Sequence, residues 1–170
     1  MHNDTLFTER QRFTQWWLWL ILIGINFLFL FGVYKQIIEG QPFGNKPASN
    51  AGFLIGAGLT LLFTLAFISF RLETRIKEDG VYVRFFPFHL SFRYYPWQKI
   101  SKAFLRQYNP ISEYGGWGIR LGLFGKEKAF NVSGDKGLQL EFTDHKKLLI
   151  GTNKAEELRA SLDNMGQLKT

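Results

Sequence analysis

WWLWLILIGINFLFLFGVY (residues 16–34) and AGFLIGAGLTLLFTLAFISF (residues 51–70) decide how this chain is read, and neither stretch holds a charged residue. A helix needs about 20 apolar residues to cross the hydrocarbon core of a bilayer. Backbone polar groups in hydrocarbon must be satisfied internally, which leaves helices or closed barrels, and two runs cannot close a barrel. The pattern predicts a transmembrane helical hairpin over residues 14–70, with helices at about 14–36 and about 50–70. Trp16, Trp17 and Trp19 open the first run and Tyr34 closes it, where amphipathic rings favour the membrane interface. A cleaved signal peptide would have a shorter core and a small-x-small site, which Val33-Tyr34-Lys35 is not.

Orientation follows the basic residues near the membrane ends. Arg10 and Arg12 precede the first run, and Arg71, Arg75, Lys77, Arg84 and Arg93 follow the second. The segment between the runs carries only Lys35 and Lys46. Both termini are therefore expected in the cytoplasm, with the chain a multi-pass protein of the inner (cell) membrane. Residues 1–13, short and polar, read as a cytoplasmic tail without a fold of its own.

Inside the second run Gly52, Gly56, Thr60 and Thr64 recur at steps of four and share one helix face. Small residues at this spacing let a second backbone approach. They serve either packing between the chain's own helices or a homodimer face; the commonness of such pairs in membrane helices favours the first. Asn26 is the strongly polar side chain within the runs, and one interhelical hydrogen bond would satisfy it. No Asp, Glu, Lys, Arg or His lies in either run, which argues against an ion or proton path.

The 170 residues leave room for the hairpin and one small soluble domain. The absence of cysteine excludes disulfides and thiolate metal sites. Of the net charge of +7, a surplus of 6 falls from Arg71 onward. No basic run or helix-turn-helix pattern points to nucleic acid; attraction to the anionic leaflet is the simpler partner for this charge.

From Leu72 the periodicity becomes two. Leu72, Thr74 and Ile76 alternate with charged residues, and Asp79-Gly80 signals a hairpin into Val81, Val83 and Phe85. Further strands are expected at 90–95, 100–108, 117–123, 127–132, 138–142 and 147–151, with a loop at 109–116 and a turn at Phe124-Gly125-Lys126. This predicts seven or eight short antiparallel strands, as in a sandwich or barrel. Asn153 as N-cap with Glu156 three residues on reads as a capping box. Ala155, Leu158, Leu162 and Met165 form an apolar helical stripe, and Gly166 stops it.

YPWQKI (95–100), EYGGWGIR (113–120), NVSG (131–134) and LIGT (149–152), set behind two membrane helices, resemble bacterial membrane proteins that carry a pleckstrin-homology (PH)-like domain. The resemblance implies a PH-like domain over residues 71–167: a mainly β, α+β fold, its seven-stranded bent antiparallel barrel capped by a C-terminal helix. It implies little about activity. Eukaryotic PH domains that bind phosphoinositides use a basic pattern across their first hairpin. Glu78-Asp79-Gly80 is short and acidic, and Lys77 and Arg84 alone are too few for a phosphate cradle.

Gly115-Gly116-Trp117-Gly118-Ile119-Arg120 is the most distinctive local segment. Trp117 and Arg120 are a candidate partner surface, since these residue types often anchor interfaces. The structural alternative, which is favoured, has the glycines shape a turn while Trp117 fills the core. His2, His89 and His145 lack metal-ligand spacing and read as solvated surface. An Asp144, His145 and Ser133 triad has no nucleophile elbow to support it. No catalytic, cofactor or metal site is expected. The expected function is a non-catalytic, membrane-anchored binding or scaffold module; the alternative is an accessory subunit of a membrane enzyme or transporter complex.

Overall fold

The computed structural model describes residues 5–122 and 127–168. They fall into two compact units, Thr14–Ser69 and the pair of segments Met1–Phe13 and Phe70–Thr170.

The first unit holds α1 (Trp16–Val33), which continues through a π-helical turn at Tyr34–Ile38, and α2 (Asn50–Ser69). Both are long and apolar enough to cross a membrane, and little of either is buried by protein. A helix that is apolar all round is at home in an apolar medium. The two helices meet through small residues and one polar pair. Asn26 Nδ2 donates to Thr64 Oγ1 and to the Leu22 carbonyl, both at 2.8 Å. The Phe29 ring lies on Gly56 and the Phe53 ring on Gly32, so a Cβ at either glycine would overlap an aromatic ring. The step-of-four row thus divides. Gly56 and Thr64 meet α1, while Thr60 Oγ1 donates to its own helix at the Ala57 carbonyl, 3.1 Å away. The Gly52 amide donates to Ser49 Oγ at 3.1 Å.

The second unit is α+β. β1 (Thr5–Arg12), β2 (Arg71–Lys77), β3 (Gly80–Phe86) and β4 (Arg93–Pro96) make an antiparallel sheet in that order. The second sheet contains β5 (Ile100–Gln107), β6 (Gly118–Leu121), β7 (Glu127–Asn131), β8 (Lys136–Phe142) and β9 (Lys147–Gly151), in the order β5-β8-β9-β7-β6. Its β7 and β9 are parallel. Two short helices complete the unit, α3 (Pro110–Tyr114) and α4 (Ala155–Asn164). One core joins both sheets and α4, built from residues such as Ile76, Phe85, Phe130, Leu140, Leu158 and Leu162.

Several expectations are corrected. Residues 5–12 are an edge strand, not a tail: Phe7, Glu9 and Gln11 point inward and are buried. Glu9 accepts from Thr152 Oγ1 at 2.6 Å and from the Asn153 amide at 2.9 Å, and Gln11 Nε2 donates to the Gly151 carbonyl at 2.7 Å. The strands form two open sheets, with more than seven strands, rather than one seven-stranded barrel. Pro96 has no N–H to donate, and a 3₁₀ turn at Trp97–Lys99 breaks the ladder between β4 and β5. Residues 109–116 are not all loop, because Asn109 Oδ1 caps α3 by accepting from the Ile111 and Ser112 amides, each at 3.0 Å. Asn153 does not cap α4. Its side chain donates to Ser133 Oγ at 2.8 Å, and Lys154 occupies the cap position. The expected turn at Phe124-Gly125-Lys126 lies outside the described residues, as does His2.

Candidate functional site

The residue pattern of the first sheet separates two faces. Leu72, Ile76, Val81, Val83 and Phe85 point into the core. Outward, the register lines up Arg12, Arg71 and Phe86, then Arg10, Glu73 and Arg84, then Thr8, Arg75, Tyr82 and Tyr94. Lys77 completes β2 on this face. Like charges opposite one another, as at Arg12 and Arg71, oppose pairing. Glu73 offsets part of that cost, with contacts of 2.5 Å to Arg84, 2.8 Å to Arg71 and 3.8 Å to Arg10. Burial alone would raise the Glu73 carboxyl; Arg84 and Arg71 outweigh it and hold the group below the ordinary carboxylate range.

Aromatic rings hold four of the face's cations, two of which also pair with Glu73. Arg71 lies 4.3 Å from the Phe86 ring centre, Arg75 and Arg84 lie 4.4 Å and 4.6 Å from Phe92, and Lys77 lies 5.2 Å from Tyr82. Tyr82 stacks on Tyr94 at 4.7 Å and donates to Asp79 at 2.7 Å. Cation–π contact orders a guanidinium while leaving its N–H donors available at the ring's edge. The result is a stiff basic face. Lys77 and Arg84, the two cations beside the first hairpin, are held by Tyr82 and Glu73.

The Gly115–Arg120 segment is brought together in part. Gly115, Gly116 and Gly118 have φ of 69°, 120° and 121°, the left-handed region where glycine is unstrained. Trp117 is not in the core, contrary to the favoured expectation. It is half-buried, with Nε1 donating to the Gly134 carbonyl at 3.4 Å. Arg120 is exposed, and its Nε donates to the Trp117 carbonyl at 3.0 Å. Ile119 and Leu121 stay exposed because β6 is the edge of its sheet.

A cleft of about 750 Å³ opens between β4 and the turn joining β8 to β9, walled by Tyr94, Tyr95, Phe142, Lys99, Lys128 and Lys147. Amines and rings there can hold an anion, and Asp144 adds a carboxylate to the wall. Asp144 is tied to Lys146 at 2.6 Å, and Ser133 accepts from Asn153, so neither joins His145. Among the described residues no three metal-ligating side chains converge.

His89 departs from the solvated surface expected of it. It is buried, packs edge-on against Phe130 at 5.2 Å, and its Nδ1 accepts from the Phe85 amide at 3.2 Å. Desolvation first, then Arg93 and Lys128, lower its pKa from the ordinary 6.5. The fold favours the neutral ring. That contribution to stability is complete above the unfolded value and is lost as pH falls through the lowered one. The thermal midpoint of the full chain in detergent is therefore expected to drop between about pH 7 and about pH 5. His89→Gln, which keeps an acceptor near the Phe85 amide, should flatten this part of the profile; an unchanged profile would show that the ring does not titrate in the fold.

The arginine–aromatic face was not legible as a site, although the alternation that builds it was. No protein-family model and no curated protein sequence matches this chain.

Proposed function

We propose that this chain is a membrane-anchored, non-catalytic binding module whose soluble unit, PH-like and of the bacterial two-helix kind, works at the cytoplasmic face of the inner membrane. The observation that carries this reading is the outer face of the first sheet. Arg10, Arg12, Arg71, Arg75, Lys77 and Arg84 stand there around Glu73, with Asp79 at the far turn. Its β1 and β2 are the strands that lead directly into and out of the two membrane-capable helices. Each basic side chain near an anionic leaflet contributes roughly 1 kcal/mol, within about a Debye length of the surface. The face suits lipid charge in general rather than one head group, because the guanidiniums that converge, those of Arg10, Arg71 and Arg84, meet on Glu73, while Arg12, Arg75 and Lys77 are spread along the strands.

Thr8, exposed on this face, gives the test. Thr8→Cys in the otherwise cysteine-free chain would carry an environment-sensitive dye in nanodiscs of neutral lipid, with or without phosphatidylserine. Emission should respond to phosphatidylserine and revert as salt rises from about 0.1 M to about 1 M, where the Debye length shrinks from about 10 Å to about 3 Å. Identical spectra in both discs would remove the leaflet as the partner. The second reading, an accessory subunit of a membrane complex, is favoured by the open β6 edge with Trp117, Ile119, Arg120 and Leu121. Those residues would then be the ones to substitute.

A further inference from the structure

We propose that residues 87–92, the turn between β3 and β4, form a wedge that inserts into the interfacial layer of an anionic phospholipid bilayer. The turn is pinned at its centre. The His89 amide donates to the Phe85 carbonyl at 2.8 Å, the Phe85 amide donates back to His89 Nδ1, and the imidazole is sealed against Phe130. With His89 drawn into the core, its neighbours project outward: Phe88 is 63% exposed and Leu90 80%. An Arg84 N–H reaches the Leu90 carbonyl at 3.5 Å and steadies the far side. Each such side chain left in water forgoes the gain of burying its apolar surface. A rigid turn holding two of them out is built for a cover.

Position and charge select the cover. The Phe88 ring lies 5.4 Å from Phe70, and Phe70 lies 6.4 Å from Phe13. Phe13 directly precedes the segment that carries α1, and Phe70 directly follows α2. Phe88 thus packs on the residue that follows α2 in sequence, with Phe13, which precedes the α1 segment, one ring further on. Arg71 stacks on Phe86 and Arg84 on Phe92 at the two ends of the turn, and Arg93 is exposed beside it. Apolar tips flanked by guanidiniums match the boundary between acyl chains and phosphates, the layer in which amphipathic helices bury their apolar face.

This inference rests on the membrane-anchored reading, and the experiment separates the two. In the full chain, single cysteines replace Leu90, Leu61 in α2 and Lys102 on β5, each exposed and each the only thiol present. Nitroxide labels are attached, and the proteins are placed in nanodiscs of phosphatidylcholine and phosphatidylserine. Relative access to oxygen and to a water-soluble nickel chelate is then read by power saturation. The Lys102→Cys label should favour nickel. The Leu61→Cys and Leu90→Cys labels should show the inverted ratio, with Leu90→Cys the shallower. A Leu90→Cys label that matches Lys102→Cys while Leu61→Cys stays in lipid overturns the wedge and leaves the anchor standing. A Leu61→Cys label in water overturns both.

Discussion

A polypeptide of residues 72–170 alone is expected to stay unfolded, whereas residues 1–13 joined to residue 70 by a turn of about four residues should fold. The strand β1 explains the contrast. Phe7 is 2% exposed, and truncating a buried phenylalanine alone costs about 3–5 kcal/mol. Without β1 the strand from Arg71 to Lys77 loses its partner on one side and becomes an edge paired only with β3. The Thr152 hydroxyl, the Asn153 amide and the Gly151 carbonyl also lose Glu9 and Gln11, and a buried polar group left unpaired costs about 1–3 kcal/mol. Together these losses rival the 5–15 kcal/mol that holds a typical domain. The joined version is feasible because Arg12 and Arg71 are register partners and the Phe13 and Phe70 rings are neighbours. Proton NMR of the two polypeptides decides: a dispersed spectrum from residues 72–170 alone would show that β1 is dispensable.

Leu162→Ala should cost about 2–5 kcal/mol of stability. Leu162 and Leu158 lie one turn apart on α4, both essentially inaccessible, and face the core shared by the two sheets. Glu156→Ala supplies the contrast on the same helix. Its carboxylate is 83% exposed and 3.9 Å from Lys136, an ion pair of the kind that contributes little. Denaturation of the joined soluble unit, with both variants, is the measurement. Equal effects from the two substitutions would mean that α4 does not seal the core.

Elements that carry their own local signal were readable in advance. The helix pair follows from two uninterrupted apolar runs. The β2–β3 hairpin follows from alternation around Asp79-Gly80, and the α4 stripe from Leu158 and Leu162 at a helical interval. The partners in the α1–α2 contact needed coordinates, although Asn26, Gly56 and Thr64 were visible as residue types.

The misses share one cause. β1 looks like a polar tail because two of its inward residues are Glu9 and Gln11, and their partners lie some 140 positions away. Asn153 looks like a cap but is taken by Ser133, a competitor that its local sequence does not display. Trp117 and His89 exchange expected places, since an edge strand leaves the tryptophan half-covered while Phe130 closes over the imidazole. The arginine–aromatic face exists only once register sets Arg10, Glu73 and Arg84 side by side.

Composition and periodicity by themselves determined that this chain has two bilayer-length helices and a β-rich unit closed by an amphipathic helix. Those properties depend on residues near one another in sequence. The tertiary structure alone decided that the first strand belongs to that unit, that the sheets stay open, and which cations share a face. Each of those depends on pairing between distant segments, where a buried polar side chain is stable only because its partner is already in place.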